Sequence, residues 1–235
     1  MKRKFTYLMV MMVMLWSACT QRTGGSGNVL TEMRTVETFG GINVSGEMSI
    51  NITHSAKYEV KVTADDNLIK HVKTVVKGGV LYVECGRETE ESNISVNLLM
   101  PNIKTIETEG SVGINIKEGF AIKDLEIKTF GSGNIDIRSI KADGAIKILS
   151  RGSGNITLSG SSKALSCVTR DAGNVFADQL DAGTVVAKVG GAGSIFTKTD
   201  GSMSVIVAGS GSVFYSGKPS MISKYITGSG SVMQR

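Results

Sequence analysis

The side chains able to do chemistry are few and spread along the chain. His54 and His71 are the only histidines, and Cys19, Cys85 and Cys167 the only cysteines. Acid–base cleavage of a glycosidic bond needs two carboxylates held across one cleft. Asp136, Asp143 and Asp171 are the candidates for such a pair, with an imidazole as the alternative proton acceptor. The run Glu88-Thr89-Glu90-Glu91 concentrates charge that could hold a cation, but it reads more simply as a solvated loop. Cys85 and Cys167 permit one disulfide and no disulfide framework. Whether any of these groups converge depends on the elements that carry them.

Those elements are set by a repeat. Gly131-Ser132-Gly133-Asn134-Ile135 returns as Gly152-Ser153-Gly154-Asn155-Ile156, Asp171-Ala172-Gly173-Asn174-Val175, Gly191-Ala192-Gly193-Ser194-Ile195, Gly209-Ser210-Gly211-Ser212-Val213 and Gly228-Ser229-Gly230-Ser231-Val232. The second glycines, Gly133, Gly154, Gly173, Gly193, Gly211 and Gly230, are 21, 19, 20, 18 and 19 residues apart. A period near twenty is that of a solenoid whose rungs stack on one another. Two places after the second Gly come Ile135, Ile156, Val175, Ile195, Val213 and Val232. Six places before it come Ile127, Ile148, Cys167, Ala187, Val205 and Lys224, and eight before it Leu125, Ile146, Leu165, Val185, Met203 and Ile222. Apolar residues two apart, with polar ones between, are half-buried strands. Each rung is therefore expected to hold two short strands, joined by the glycine turn on one side and a looser polar turn on the other. The same register extends upstream through Gly110-Ser111-Val112-Gly113-Ile114 and, more loosely, Ser45-Gly46-Glu47-Met48-Ser49-Ile50.

The repeat assigns roles to the candidate residues. The glycines are structural: they permit sharp turns, often with positive φ, and close approach of successive rungs. Asn134, Asn155 and Asn174 tolerate the same left-handed geometry. The turns contain no Gly-x-Gly-x-x-Gly, no phosphate-loop lysine and no Asp in every copy. Cys167 falls on an inward column and is expected to be a free core thiol, as is Cys85 outside it. The outward acids are scattered rather than aligned, and His54 and His71 read as surface residues. No catalytic residue, metal site or cofactor is assigned.

Residues 57–100 break the period. Tyr58, Val60 and Val62 alternate as a strand, and Asp65-Asp66-Asn67-Leu68-Ile69 opens a short helix with Asp at its start. Lys77-Gly78-Gly79 between two apolar runs signals a hairpin, and Ile94 to Met100 forms a further strand stopped by Pro101. This portion is expected to form a small sheet at one end of the solenoid.

The start of the chain fixes its destination. Lys2, Arg3 and Lys4 precede an apolar run from Phe5 to Trp16, then Ser17-Ala18-Cys19, the layout of a secretory signal. A small residue before Cys19 points to cleavage there and lipidation of Cys19, with an ordinary signal peptide as the alternative. Residues 20–27 hold no apolar side chain and read as a tether. The expected organisation is a signal peptide over 1–18, anchor and tether over 19–28, an N-terminal β portion over 29–100 and the solenoid over 101–235. Without the signal, the net charge falls from +5 to about +2, which removes any argument for nucleic acid.

Phe39-Gly40-Gly41-Ile42-Asn43-Val44, Val60-Lys61-Val62-Thr63-Ala64-Asp65, Leu99-Met100-Pro101-Asn102, the serial Gly-Ser-Gly turns and Gly217-Lys218-Pro219 stand in one order. Together they resemble the GIN domain, the auto-transporter adhesin head domain of Bacteroidetes lipoproteins, over nearly all of residues 29–235. The resemblance implies an all-β fold, a right-handed parallel β-helix-like solenoid of about 20-residue rungs, and no particular activity. It also frames the location. Many such lipoproteins bound for the cell surface carry acids after the cysteine, and residues 20–27 carry none, so the periplasmic face of the outer membrane is favoured. The expected function is a non-enzymatic envelope protein that adheres, binds or scaffolds, with a protein or glycan partner and a C-terminal edge open to self-association. The alternative is a carbohydrate-active lyase or hydrolase on the same scaffold.

Overall fold

The computed structural model describes residues 24–86, 93–117 and 119–235. The expected signal segment, Cys19 and the acidic run at 88–91 lie outside the described residues.

The repeat closes as a β-solenoid. Strands β7 (Thr105–Ile116), β9 (Leu125–Gly131), β10 (Ile135–Gly152), β11 (Ile156–Thr169) and β12 (Val175–Val189) form the middle rungs. Strands β13 (Ile195–Lys198), β14 (Ser202–Val207), β15 (Val213–Ser216), β16 (Met221–Ile226) and β17 (Val232–Gln234) form the last ones. All pair in parallel at the register read from the glycines. Ile135 lies beside Ile156, Ile156 beside Val175, Val175 beside Ile195, Ile195 beside Val213 and Val213 beside Val232. A second column runs Ile42, Ile106, Ile127, Ile148, Cys167, Ala187, Val205, Lys224. All but Lys224 in this column are buried in one continuous core. Each buried Ile, Leu or Val contributes about 1.5–3 kcal/mol, and no rung could bury its inner row without a neighbour.

The polar side of the rung departs from the two-strand expectation. In the middle rungs it is a third paired side. Ile140, Gly160 and Leu180 stack, as do Ile122, Ala142, Ser162 and Ala182, with short strand β8 (Ala121–Ile122) starting the column. Ile140, Ala142, Leu180 and Ala182 are buried. The third side ends after Ala182. In the next rung the chain turns at once, and buried Thr199 takes over, with its Oγ1 donating to the Gly183 carbonyl at 3.3 Å and accepting from Gly201 N–H at 3.1 Å.

The glycine turns keep one of their two expected jobs. None of the six second glycines has positive φ; among these turns only Gly131 and Gly152, at first positions, do. At Gly154, Gly193, Gly211 and Gly230 an added Cβ would overlap the carbonyl oxygen of the equivalent glycine one rung earlier. The turns are thus glycine because rungs touch there, backbone on backbone. The asparagines are not left-handed either. They form a ladder: Asn134 Oδ1 accepts from Asn155 N–H at 2.9 Å, Asn155 Oδ1 from Asn174 N–H at 3.2 Å and Asn174 Oδ1 from Ser194 N–H at 2.8 Å. Ser194 and Ser212 hydroxyls continue it to Ser212 and Ser231.

The N-terminal portion closes one end. Strand β2 (Gly41–His54) is the first full rung, paired with β7 on one side. Its other edge is covered by β5 (Val80–Cys85) and β6 (Ser95–Met100), both parallel to it. Strands β1 (Val29–Arg34), β3 (Glu59–Asp65) and β4 (Val72–Lys77) then add in antiparallel fashion. Gly78 and Gly79, with φ of 57° and 75°, turn the β4–β5 hairpin as a left-handed pair must. Helix α1 (Asp66–Ile69) buries Leu68 and Ile69, but Asp65 at its N-cap makes no side-chain capping bond.

Candidate functional site

The solenoid separates the sequence-nominated acids. Asp136 faces outward on β10 and is engaged by Arg138, whose guanidinium nitrogens reach its carboxylate at 2.7–3.2 Å. That contact raises the Arg138 pKa. Asp143 is exposed on the third side, and Asp171 is exposed in a glycine turn, where its carbonyl accepts from Gly193 N–H at 2.9 Å. The three acids therefore lie on different parts of the rung and form no pair. Other carboxylates hold turns: Asp124 accepts from Ala145 N–H at 2.8 Å and Asp200 from Lys218 N–H at 2.7 Å. Asp181 pairs with Lys198 at 2.7 Å and raises the lysine pKa. Among the described residues no group of three or more His, Cys, Asp or Glu is placed to hold a metal ion.

The histidines do not meet the acids. His54 is exposed and stands edge-on to buried Phe120, with centroids 5.2 Å apart. His71 is half-buried after α1, its N–H donating to the Leu68 carbonyl. Cys85 and Cys167 are both free. Burial pushes the Cys167 thiol up to about 12, so it is inert as a nucleophile at neutral pH. A groove of about 570 Å³ lies over Lys104, Lys123, Lys147, Asp124 and Glu126, mixing charges of both signs.

One feature escaped the sequence reading. It is an outward aromatic column three places after the second glycine. Phe176, Phe196 and Phe214 stack with centroids 4.9 and 4.8 Å apart and planes within 14°. The Arg235 guanidinium lies 4.9 Å from the Phe196 ring and 4.8 Å from the Phe214 ring, clasping the chain end to the ladder. Their shared place, three residues after Gly173, Gly193 and Gly211, was the available signal.

The two ends also differ, as the expected N-terminal sheet and open C-terminal edge imply. β16 pairs only with β14 and β17 only with β15, so their outer edges have no strand partner among the described residues. Met221, Tyr225, Ile226 and Met233 are 71%, 63%, 44% and 43% exposed there. The N-terminal end is closed, and its lead-in is fastened. Asp66 accepts hydrogen bonds from the Ser26 hydroxyl and Asn28 amide, which lower its pKa, and Asn67 Nδ2 donates to the Gly24 carbonyl at 2.9 Å.

A stacked β-solenoid with one closed and one open end is the class that the geometry defines. The chain belongs to the family described as "putative auto-transporter adhesin, head GIN domain", whose model matches residues 38–219. Among solved structures, it is similar to a putative adhesin from Bacteroides fragilis (24% identity, TM-score 0.85, covering 90% of this chain and 99% of that one). It is also similar to a putative adhesin from Parabacteroides distasonis (23%, TM-score 0.74, 91% and 100%). A third structure, named a putative lipid binding protein from the same species, matches at 24% with TM-score 0.69, covering 92% and 100%. At these identities the likeness establishes the fold. Comparison with curated proteins finds no match.

Proposed function

We propose that this chain is an exported, non-enzymatic protein of the cell envelope, anchored through a lipid on Cys19 and binding a partner at its open C-terminal end. The observation that carries the reading is the asymmetry of the ends. The closed end adjoins the anchor, because only residues 20–23 separate Cys19 from the fastened Gly24. Seven rung steps of about 4.8 Å separate Ile42 from Lys224, so the open end stands about 34 Å further along the solenoid. An anchored solenoid thus carries its free strand edges away from its tether, where an edge can pair with another chain. The family description and the names of the similar structures support adhesion or binding in preference to catalysis, and the periplasmic face of the outer membrane suits a tether that carries no acidic residue. The stacked Phe176, Phe196 and Phe214 add a rigid apolar stripe along one flank, suited to a glycan or protein surface.

The test is capture of the lipidated protein with its partners from its own envelope, together with protease shaving of intact cells. Recovery of a specific partner, lost when residues 221–235 are altered, supports the reading. Release of reducing or unsaturated ends from a polysaccharide by the purified protein would overturn it in favour of the carbohydrate-active alternative.

A further inference from the structure

The last rung carries a charge where every earlier rung carries an apolar residue. Lys224 follows Val205 in the inward column, flanked by Ile222 and Ile226 on the same row. Its ammonium lies 5.2 Å from the Tyr215 ring and has no carboxylate partner among the described residues. No such partner stands nearby in sequence: residues 201–235 contain Lys218, Lys224 and Arg235 and no Asp or Glu. As the structure stands, Lys224 is exposed and costs little. A further strand laid on β16 would cover it, and burying an unpaired ammonium is strongly unfavourable. An uncharged strand is thereby penalised. A second copy presenting its own β16 in the same row sets Lys224 against Lys224.

We propose that the open end takes an acidic extended strand of a partner protein, of the pattern apolar–x–Asp/Glu–x–apolar. It adds to the free edge of β16 with its acid over Lys224 and its apolar residues over Ile222 and Ile226. Main-chain hydrogen bonds continue the ladder, and exposed Met221 and Tyr225 on the other row grip the alternate side chains. Lys224 acts as the specificity element: it repels the uncharged and basic strands that an open edge would otherwise collect. This inference rests on the reading of the open end as the binding end.

The experiment uses the full mature chain and two hexapeptides copying residues 221–226, one unaltered and one with Lys224→Glu. Binding is followed by titration and by amide exchange across β16. The acidic peptide is expected to bind at least about tenfold more tightly, the equivalent of about 1.4 kcal/mol. It should slow exchange in β16, and the preference should shrink with added salt. A protein carrying Lys224→Glu should invert the preference while keeping its circular dichroism. Protection of β16 without a charge preference, or a preference that does not invert, overturns this inference alone. If neither peptide protects β16, or the protein is an oligomer in light scattering with that edge already covered, the open-end reading falls with it.

Discussion

Replacing Gly193 by alanine separates the two jobs a turn glycine can have. Gly193 has no positive φ, so an alanine there meets no backbone strain. Its Cβ would instead lie 2.8 Å from the Gly173 carbonyl carbon and overlap that carbonyl's oxygen. Relief requires opening the rung spacing by roughly 1 Å from its usual ~4.8 Å. Overpacking of this kind costs about 1–3 kcal/mol. The same displacement stretches the bonds from Gly193 N–H to the Asp171 carbonyl and from Ser194 N–H to Asn174 Oδ1, at 2.9 and 2.8 Å, each worth about 1 kcal/mol. The expected total is about 3 kcal/mol, or a fall in Tm of about 6–12 °C for a domain of this size. Gly78 is the control. It has φ of 57° and open space around its would-be Cβ, so Gly78→Ala meets only the left-handed penalty of about 1–2 kcal/mol. Guanidinium denaturation followed by circular dichroism suits both variants, since the only tryptophan, Trp16, lies outside the described residues. If Gly78→Ala costs as much as Gly193→Ala, or if Gly193→Ala is nearly neutral, contact between rungs is not what the repeated glycine serves.

Cys167→Ser should destabilise by about 1–3 kcal/mol by burying a hydroxyl, while Cys167→Val should be nearly neutral, both read by the same denaturation. The Cys167 thiol also predicts a pH effect. Its folded pKa of about 12 exceeds the ordinary value of 9.0, so its contribution is intact below pH 9 and is lost progressively up to about pH 12. The slope, at most about 1.4 kcal/mol per pH unit, should be absent from Cys167→Val over that window. Asn155→Ala removes the acceptor for Asn174 N–H and should cost about 1–2 kcal/mol, whereas Asn155→Ser should cost less because serines do the same work at 194 and 212. Asp66→Ala should speed amide exchange at Asp66 and Ser26. Because the Asp66 carboxyl is held below its ordinary 3.8, acid should have the same effect only below that pH.

The columns were legible because a period of two, repeated six times at glycine-marked spacing, leaves one register that buries every apolar row. The third side was not, because Gly160 and Ser162 occupy the rung between those where Ile140 and Leu180 show the pattern, and two apolar residues forty positions apart look like loop. Of the two jobs expected of the second glycines, close approach and positive φ, only the first holds, and the weight given to φ has a physical reason. A single rung read alone shows only the turn, and the contact that excludes a Cβ belongs to the rung before. The hairpin at Gly78-Gly79 was local and readable. The parallel addition of β5 and β6 to β2 pairs residues about forty apart with no repeated mark to align them.

Lys224 shows where sequence stops and structure begins. Its place in the inward column follows from counting back from Gly230, and on that count it is simply an exception to an apolar rule. It becomes informative only once β16 is known to have a free edge among the described residues and the Lys224 ammonium to lie against the Tyr215 ring. A lysine in the interior of the stack would be a defect, costly to bury and open to replacement. The same lysine on the terminal rung costs nothing until something docks, and then it selects what may dock. The glycines keep each rung in contact with the last, so the stack alone would accept any further strand. The charge at its end makes that acceptance conditional.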